Sequence, residues 1–278
     1  MVGGTTKHPY PFGGSKLLYV WEPPTMLGAP GTWNVGTVLL DARRWYPSLV
    51  MLCPDPNDPN SEDKIMVLGG SDLFHSVPFV NSYQVWRPVG GLAGSWQASS
   101  IFPPSNTFAG PLLPDAFLLE YPRAHYFSTM NVVTAGVVRF SARVNHFSLP
   151  GVWPPPPAMT DIASARLGGS SVLNPISPGG GIKDWIVVIG GNDGTITNTC
   201  LFGPGPAWAE LDSLLQPRWL LNTVLLPDSR IFVFGGEQQY GATGCSEVPA
   251  LVPEVFTAGK WVHWAEGPII RDYHSAGL

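Results

Sequence analysis

The chain has 278 residues, and its 32 Gly and 30 Pro make up more than a fifth of it, which excludes a largely helical protein. Charged residues are 13%, apolar types reach 44% and 11 Trp are present, so the chain is globular and not disordered. A net charge of −5 argues against nucleic acid as a partner, and no run of about 18 uncharged apolar residues is available for a membrane-spanning helix.

Taken in chain order, the predicted elements repeat. Gly31-Thr32-Trp33 comes first. Arg44 then leads into a segment whose next strand, Ile65-Met66-Val67-Leu68, is stopped by Gly69-Gly70, and Gly94-Ser95-Trp96 follows. After a Pro-rich insertion, Arg123 leads to Val132-Val133-Thr134-Ala135-Gly136 and then Gly151-Val152-Trp153. Arg166 leads to Ile186-Val187-Val188-Ile189-Gly190-Gly191 and Trp208, and Arg218 to Ile231-Phe232-Val233-Phe234-Gly235-Gly236 and Gly259-Lys260-Trp261. Arg271 opens one more. Arg, strand, Gly-Gly, outer strands and Trp thus recur with a period of roughly 45 to 70 residues, the size of a four-stranded propeller blade with the marks of kelch repeats. The fold class expected is all-β, a kelch-type β-propeller with about five blades present. Met1-Val2-Gly3-Gly4 reads as the end of a strand and 271–278 as the start of another, so residues 1–278 are expected to form a single, incomplete propeller domain. The one segment with a helical reading is Trp208 to Leu215.

Aligning the cycles on Arg gives the sharpest signal. The residue two places on is Tyr46, His125, Gly168, Leu220 and Tyr273 in turn, and on a continuous strand this position keeps one face. Two cycles place Tyr there, in Arg44-Trp45-Tyr46-Pro47-Ser48 and Arg271-Asp272-Tyr273-His274-Ser275. With Tyr121-Pro122-Arg123-Ala124-His125 and Asn222-Thr223-Val224-Leu225-Leu226-Pro227-Asp228, these segments make the chain resemble the copper radical oxidases, galactose oxidase and especially the glyoxal oxidase-like proteins.

The resemblance implies a seven-bladed propeller, one Cu ion, and oxidation of an aldehyde or primary alcohol, carbohydrate included, by O2 with release of hydrogen peroxide. It implies that Tyr46 is the radical Tyr, Tyr273 the axial Tyr and proton acceptor, and His274 a His ligand; phenolate and imidazole suit Cu(II). It also implies secretion, although the first 30 residues lack the basic start and apolar core of a signal peptide. Three parts of the family pattern have no counterpart. The Cys cross-linked to the radical Tyr and the second His ligand are missing, and the Trp stacked over the radical falls at Asp72. Cys53, seven residues after Tyr46, has the wrong spacing for the cross-link. The expected function is therefore a fragment of a copper radical oxidase, inactive as this chain; the alternative is a non-catalytic kelch scaffold that binds a protein or a glycan.

The remaining residues read as structural. Arg44, Arg123, Arg166, Arg218 and Arg271 are expected to brace neighbouring blades by charge-assisted hydrogen bonds. His125 is expected to pack or to bond at the rim, and His8, His75, His146 and His263 lie on the surface without metal spacing. Cys200 and Cys245 each follow a Gly-Gly by nine residues, which leaves a disulfide between them open.

Overall fold

The computed structural model of the chain describes residues 15–24, 26, 29–36, 40–54, 62–73, 76–80, 82–87, 94–96, 100–101, 122–127, 131–134, 142–145, 166, 168–176, 182–191, 196–203, 208–238, 248–267 and 269. Among them there is no helix, and the strands form several antiparallel sheets. β1 (Tyr19–Glu22) and β2 (Thr32–Val35) make a two-stranded ribbon. β3 (Ser48–Leu52) and β4 (Lys64–Leu68) are followed by a small hairpin, β5 (Ser71–Leu73) with β6 (Ser76–Phe79), and then by β7 (Ser82–Arg87), β8 (Ser95–Trp96) and β9 (Ser100–Ile101). β3, β4, β7 and β8 lie in that order in one sheet, with β9 also paired to β7. β10 (Ala124–Tyr126), β11 (Asn131–Thr134) and β12 (Ala142–Asn145) make a three-stranded sheet.

The last two sheets are four-stranded meanders in chain order. One is β13 (Ser170–Ile176), β14 (Ile182–Ile189), β15 (Cys200–Gly203) and β16 (Ala209–Leu211); the other is β17 (Asn222–Leu225), β18 (Ile231–Phe234), β19 (Glu254–Thr257) and β20 (Lys260–His263). Four antiparallel strands per cycle, with Gly-Gly closing the second strand and Trp on or beside the fourth, match the repeat expected from the sequence.

The chain divides into two compact units, Met1–Val132 with Val144–Pro154, and Val133–Arg143 with Pro155–Leu278. In the first unit Leu18, Leu40, Val67 and Trp86 form a core, with Val20, Ile65 and Trp96 packed against it. In the second, Val187, Ile189 and Cys200 of one meander meet Leu221, Ile231, Val233 and Trp261 of the next, with Leu214 between. β3 shows the alternation of a half-buried strand, Leu49 and Met51 outward and Val50 and Leu52 inward. Met66, Val67 and Leu68 are all buried, as are Ile186 to Ile189, because both faces of these second strands are covered.

The Gly-Gly pairs do more than end strands. Gly70, Gly191 and Gly236 have φ of +89°, +100° and +83°, and a Cβ on them would lie 2.6 Å from Trp45 O, 2.9 Å from Arg166 O and 2.5 Å from Trp219 O. The backbone that follows or carries each Arg thus docks directly on the second glycine, which only glycine permits. Each Arg side chain completes the clasp. Arg44 Nη1 donates to Gly69 O and Ser82 O, both at 2.9 Å. Arg166 Nη1 donates to Gly190 O at 3.2 Å and Thr199 O at 3.0 Å. Arg218 Nη1 donates to Gly235 O at 3.0 Å. These arginines therefore tie the second strand of their own sheet to the third; the expected bracing of neighbouring sheets is corrected. Backbone groups make that join, for Gly191 N–H donates to Arg218 O at 2.8 Å and Leu220 N–H to Gly168 O at 2.7 Å.

The helical reading of Trp208 to Leu215 is also corrected. Ala209–Leu211 is β16, registered against Cys200–Phe202, so edge pairing outweighs the helix propensity of Ala, Glu and Leu. Asp212 then turns the chain, its Oδ2 accepting Trp261 N–H at 3.0 Å and its carbonyl accepting Trp261 Nε1–H at 2.9 Å.

Candidate functional site

The position two places after Arg is not on a strand face. Tyr46, Gly168 and Leu220 have φ of 55°, 61° and 56°, a left-handed kink that precedes β3, β13 and β17. The kink, and not strand pleating, repeats the orientation of this residue. For Tyr and Leu such a backbone costs about 1–3 kcal/mol, and at Tyr46 the following Pro47 narrows the choice further. Because Leu220 shares the conformation, the kink belongs to the repeat; what distinguishes residue 46 is the phenol placed on it. His125, the fourth described member, departs from the pattern and lies within β10.

Trp45 fixes the base of the Tyr46 segment. It is 4% exposed, and its N–H donates to Ser71 O at 2.7 Å while its carbonyl accepts Ser71 N–H at 2.9 Å. Its indole stacks on the half-buried Tyr46 ring, with centroids 4.7 Å apart and planes 25° apart. An aromatic partner for Tyr46 thus comes from the preceding residue. The sequence pattern had sought one at residue 72, whose side chain lies outside the described residues. A stacked Trp45 could be foreseen only by knowing the kink.

Tyr273, His274 and Arg271 lie outside the described residues, as do His8, His75, His146 and Cys245. Among the described residues no group of three His, Cys, Asp or Glu could hold a metal ion. Of the three expected copper ligands, Tyr46 alone lies among the described residues. Cys53 is an exposed free thiol just past the far end of β3, the end opposite Tyr46. Cys200 is a free thiol buried in the core of the second unit, where burial pushes its pKa up to about 12. The disulfide left open for Cys200 does not form, and burial leaves Cys200 without the setting of a reactive thiol. His263 is exposed, as expected.

Burial first, and the positive charge of Arg123 second, hold the half-buried His125 imidazole down to about 4 from its ordinary 6.5. His125 is thus neutral at pH 7. Between pH 6.5 and 4 the unfolded chain holds the extra proton, so stability is full above about pH 6.5 and falls as the pH drops toward 4. His125→Gln is expected to remove about 2–3 kcal/mol of the stability lost between pH 7 and 4.5. Urea unfolding of both proteins at the two pH values measures it; an unchanged difference would refute the burial argument.

No family model matches the chain, and no curated protein matches it by sequence. Solved structures do match. One is described as a novel fungal alcohol oxidase with catalytic diversity among the AA5 family, in complex with copper; the TM-score is 0.66 at 19% identity, over 99% of this chain and 55% of that one. Another is YjhT, with a TM-score of 0.63 at 10% identity over 98% of this chain and 85% of that one. This chain shares their fold, and it spans about half the length of the alcohol oxidase. No described helix is long and apolar enough to cross a membrane.

Proposed function

We propose that residues 1–278 form one kelch-type propeller domain derived from a copper radical oxidase, with Tyr46, Tyr273 and His274 as its copper ligands. The observation that carries this reading is Tyr46 itself. The repeat lifts this residue out of the strand on a left-handed kink, and the chain sets there a phenol backed by a stacked indole. The fold shared with a copper-containing alcohol oxidase along 99% of this chain supports it. Copper, when bound, supplies one-electron chemistry; the chain's part is to present two phenolates and an imidazole, a donor set suited to Cu(II). The whole protein would act on a small aldehyde or primary alcohol with O2, outside the cell.

Neither described thiol serves as a cross-link partner for Tyr46, since Cys53 is at the wrong end of β3 and Cys200 is in a core. The same observation favours a second reading, a non-catalytic scaffold that keeps the ligands as relics and recruits a protein or glycan. Equilibrium dialysis with Cu(II), followed by peroxide detection on methylglyoxal and galactose, separates the two. The oxidase-derived site predicts one copper per chain without peroxide release. No bound copper would leave the scaffold.

A further inference from the structure

A non-glycine residue in the left-handed region persists only where its surroundings over-determine it. Tyr46, at φ 55°, is such a residue, and the following Pro47 favours extended backbone there instead. One anchor lies before the kink, where Trp45 exchanges two hydrogen bonds with Ser71, at 2.7 and 2.9 Å. A second lies beneath it. Gly70 lets the backbone on both sides of Tyr46 come close, for a Cβ there would stand 2.6 Å from Trp45 O and 3.2 Å from Pro47 N. The side after the kink is held by Ser48.

Ser48 opens β3 and is tied in two directions. Its backbone is registered opposite Leu68 of β4, which fixes it in the sheet that follows the kink. Its Oγ donates a hydrogen bond to Pro122 O, 74 residues on, in the segment that leads into β10. Pro122 is buried, and a buried carbonyl needs a donor from the protein. In the second unit a backbone bond links two successive kinks, Leu220 N–H donating to Gly168 O at 2.7 Å. Between β3 and β10 a side chain supplies a link, two residues from the phenol, and a side chain is open to substitution.

We propose that Ser48 is a positioning residue for Tyr46: its hydroxyl, bonded to Pro122 O, holds the left-handed kink and with it the direction of the phenol. Without the hydroxyl the chain after Pro47 is released, and Tyr46 relaxes toward the extended conformation that a residue before proline favours. Its ring then leaves the Trp45 indole, on which it stacks with centroids 4.7 Å apart. The consequence for copper rests on the reading of Tyr46 as a ligand; the placement of the ring does not.

The test is fluorine NMR of the full chain labelled with 3-fluorotyrosine, beside Ser48→Ala, Ser48→Thr and Tyr46→Phe. The sequence holds eight Tyr, and the resonance missing from Tyr46→Phe is that of Tyr46. It should be single and displaced by the ring current of the indole. In Ser48→Ala it should split or move toward the position of free fluorotyrosine while the other Tyr resonances stay in place. Ser48→Thr keeps a hydroxyl and should restore it. A Tyr46 resonance left unmoved by Ser48→Ala, a threonine variant displaced like the alanine one, or movement of all the resonances together would overturn the proposal. Cu(II) added to the same samples reads the consequence: the phenolate-to-copper band should be lost or shifted in Ser48→Ala and return in Ser48→Thr. An unsubstituted chain with no such band counts against Tyr46 as a ligand, and the fluorine spectra then decide the role of Ser48 by themselves.

Discussion

Glu254→Gln is expected to lower the stability of the second unit by about 3–5 kcal/mol. Arg218 and Glu254 are both fully buried, with Arg218 Nη2 3.0 Å and Nε 3.1 Å from Glu254 Oε1. Glu254 Oε2 also accepts Leu215 N–H at 2.6 Å. Burial lowers the pKa of Arg218 and the charge of Glu254 raises it again, so removal of the carboxylate leaves a desolvated cation without its counter-charge. Replacing both residues by Met relieves the charge but strips Gly235 O and Val252 O of the donors that clasp them. The double variant is therefore expected to recover only part of the loss, unlike buried pairs that an apolar pair replaces without cost. Urea unfolding followed by tryptophan fluorescence reads both values. A loss below about 1 kcal/mol in Glu254→Gln would mean that the carbonyls alone sustain Arg218.

The second large effect separates backbone strain from close approach. Gly236 and Gly259 have almost the same φ, +83° and +82°. A Cβ on Gly236 would meet Trp219 O at 2.5 Å and Leu221 backbone at 3.1 Å, whereas a Cβ on Gly259 meets nothing within 4 Å. Gly259→Ala should cost about 1–2 kcal/mol, the price of a left-handed alanine alone. Gly236→Ala should cost about 3 kcal/mol or more, because the clasp between Gly-Gly and the Arg segment has to open as well. Equal losses in the two variants would remove the clasp from the account of the repeat.

Much of the fold was legible because it is periodic. Gly-Gly after an apolar run marks the second strand at Leu68, Ile189 and Phe234, and Trp261 lands on the strand where the cycle places it. Even the buried arginines were visible as a recurring mark, though their partners were not. Arg44 reaches Ser82 and Arg218 reaches Glu254, 38 and 36 residues on, and nothing local to Ser82 or Glu254 distinguishes them from other strand-edge polar residues. The kink at Tyr46 escaped a reading based on strand alternation, because a left-handed Tyr before Pro runs against local preference and is held there by the Trp45–Ser71 pairing. Tyr46 was found through its repetition at 273; its stacking on Trp45 could not be, since ring contacts between sequence neighbours depend on that kink. At Trp208 to Leu215 composition pointed to helix, and the strand pairing that overrules it is a tertiary fact.

The central claim is that the kinked phenol at residue 46 is a copper ligand. It is tested most directly by adding one equivalent of Cu(II) to the chain and to Tyr46→Phe, and recording the visible spectrum and electron paramagnetic resonance. The account predicts a single Cu(II) species in the chain with a phenolate-to-copper absorption band, and loss or a marked shift of that band in Tyr46→Phe. Identical spectra for the two proteins, or copper that stays in solution with both, would contradict it.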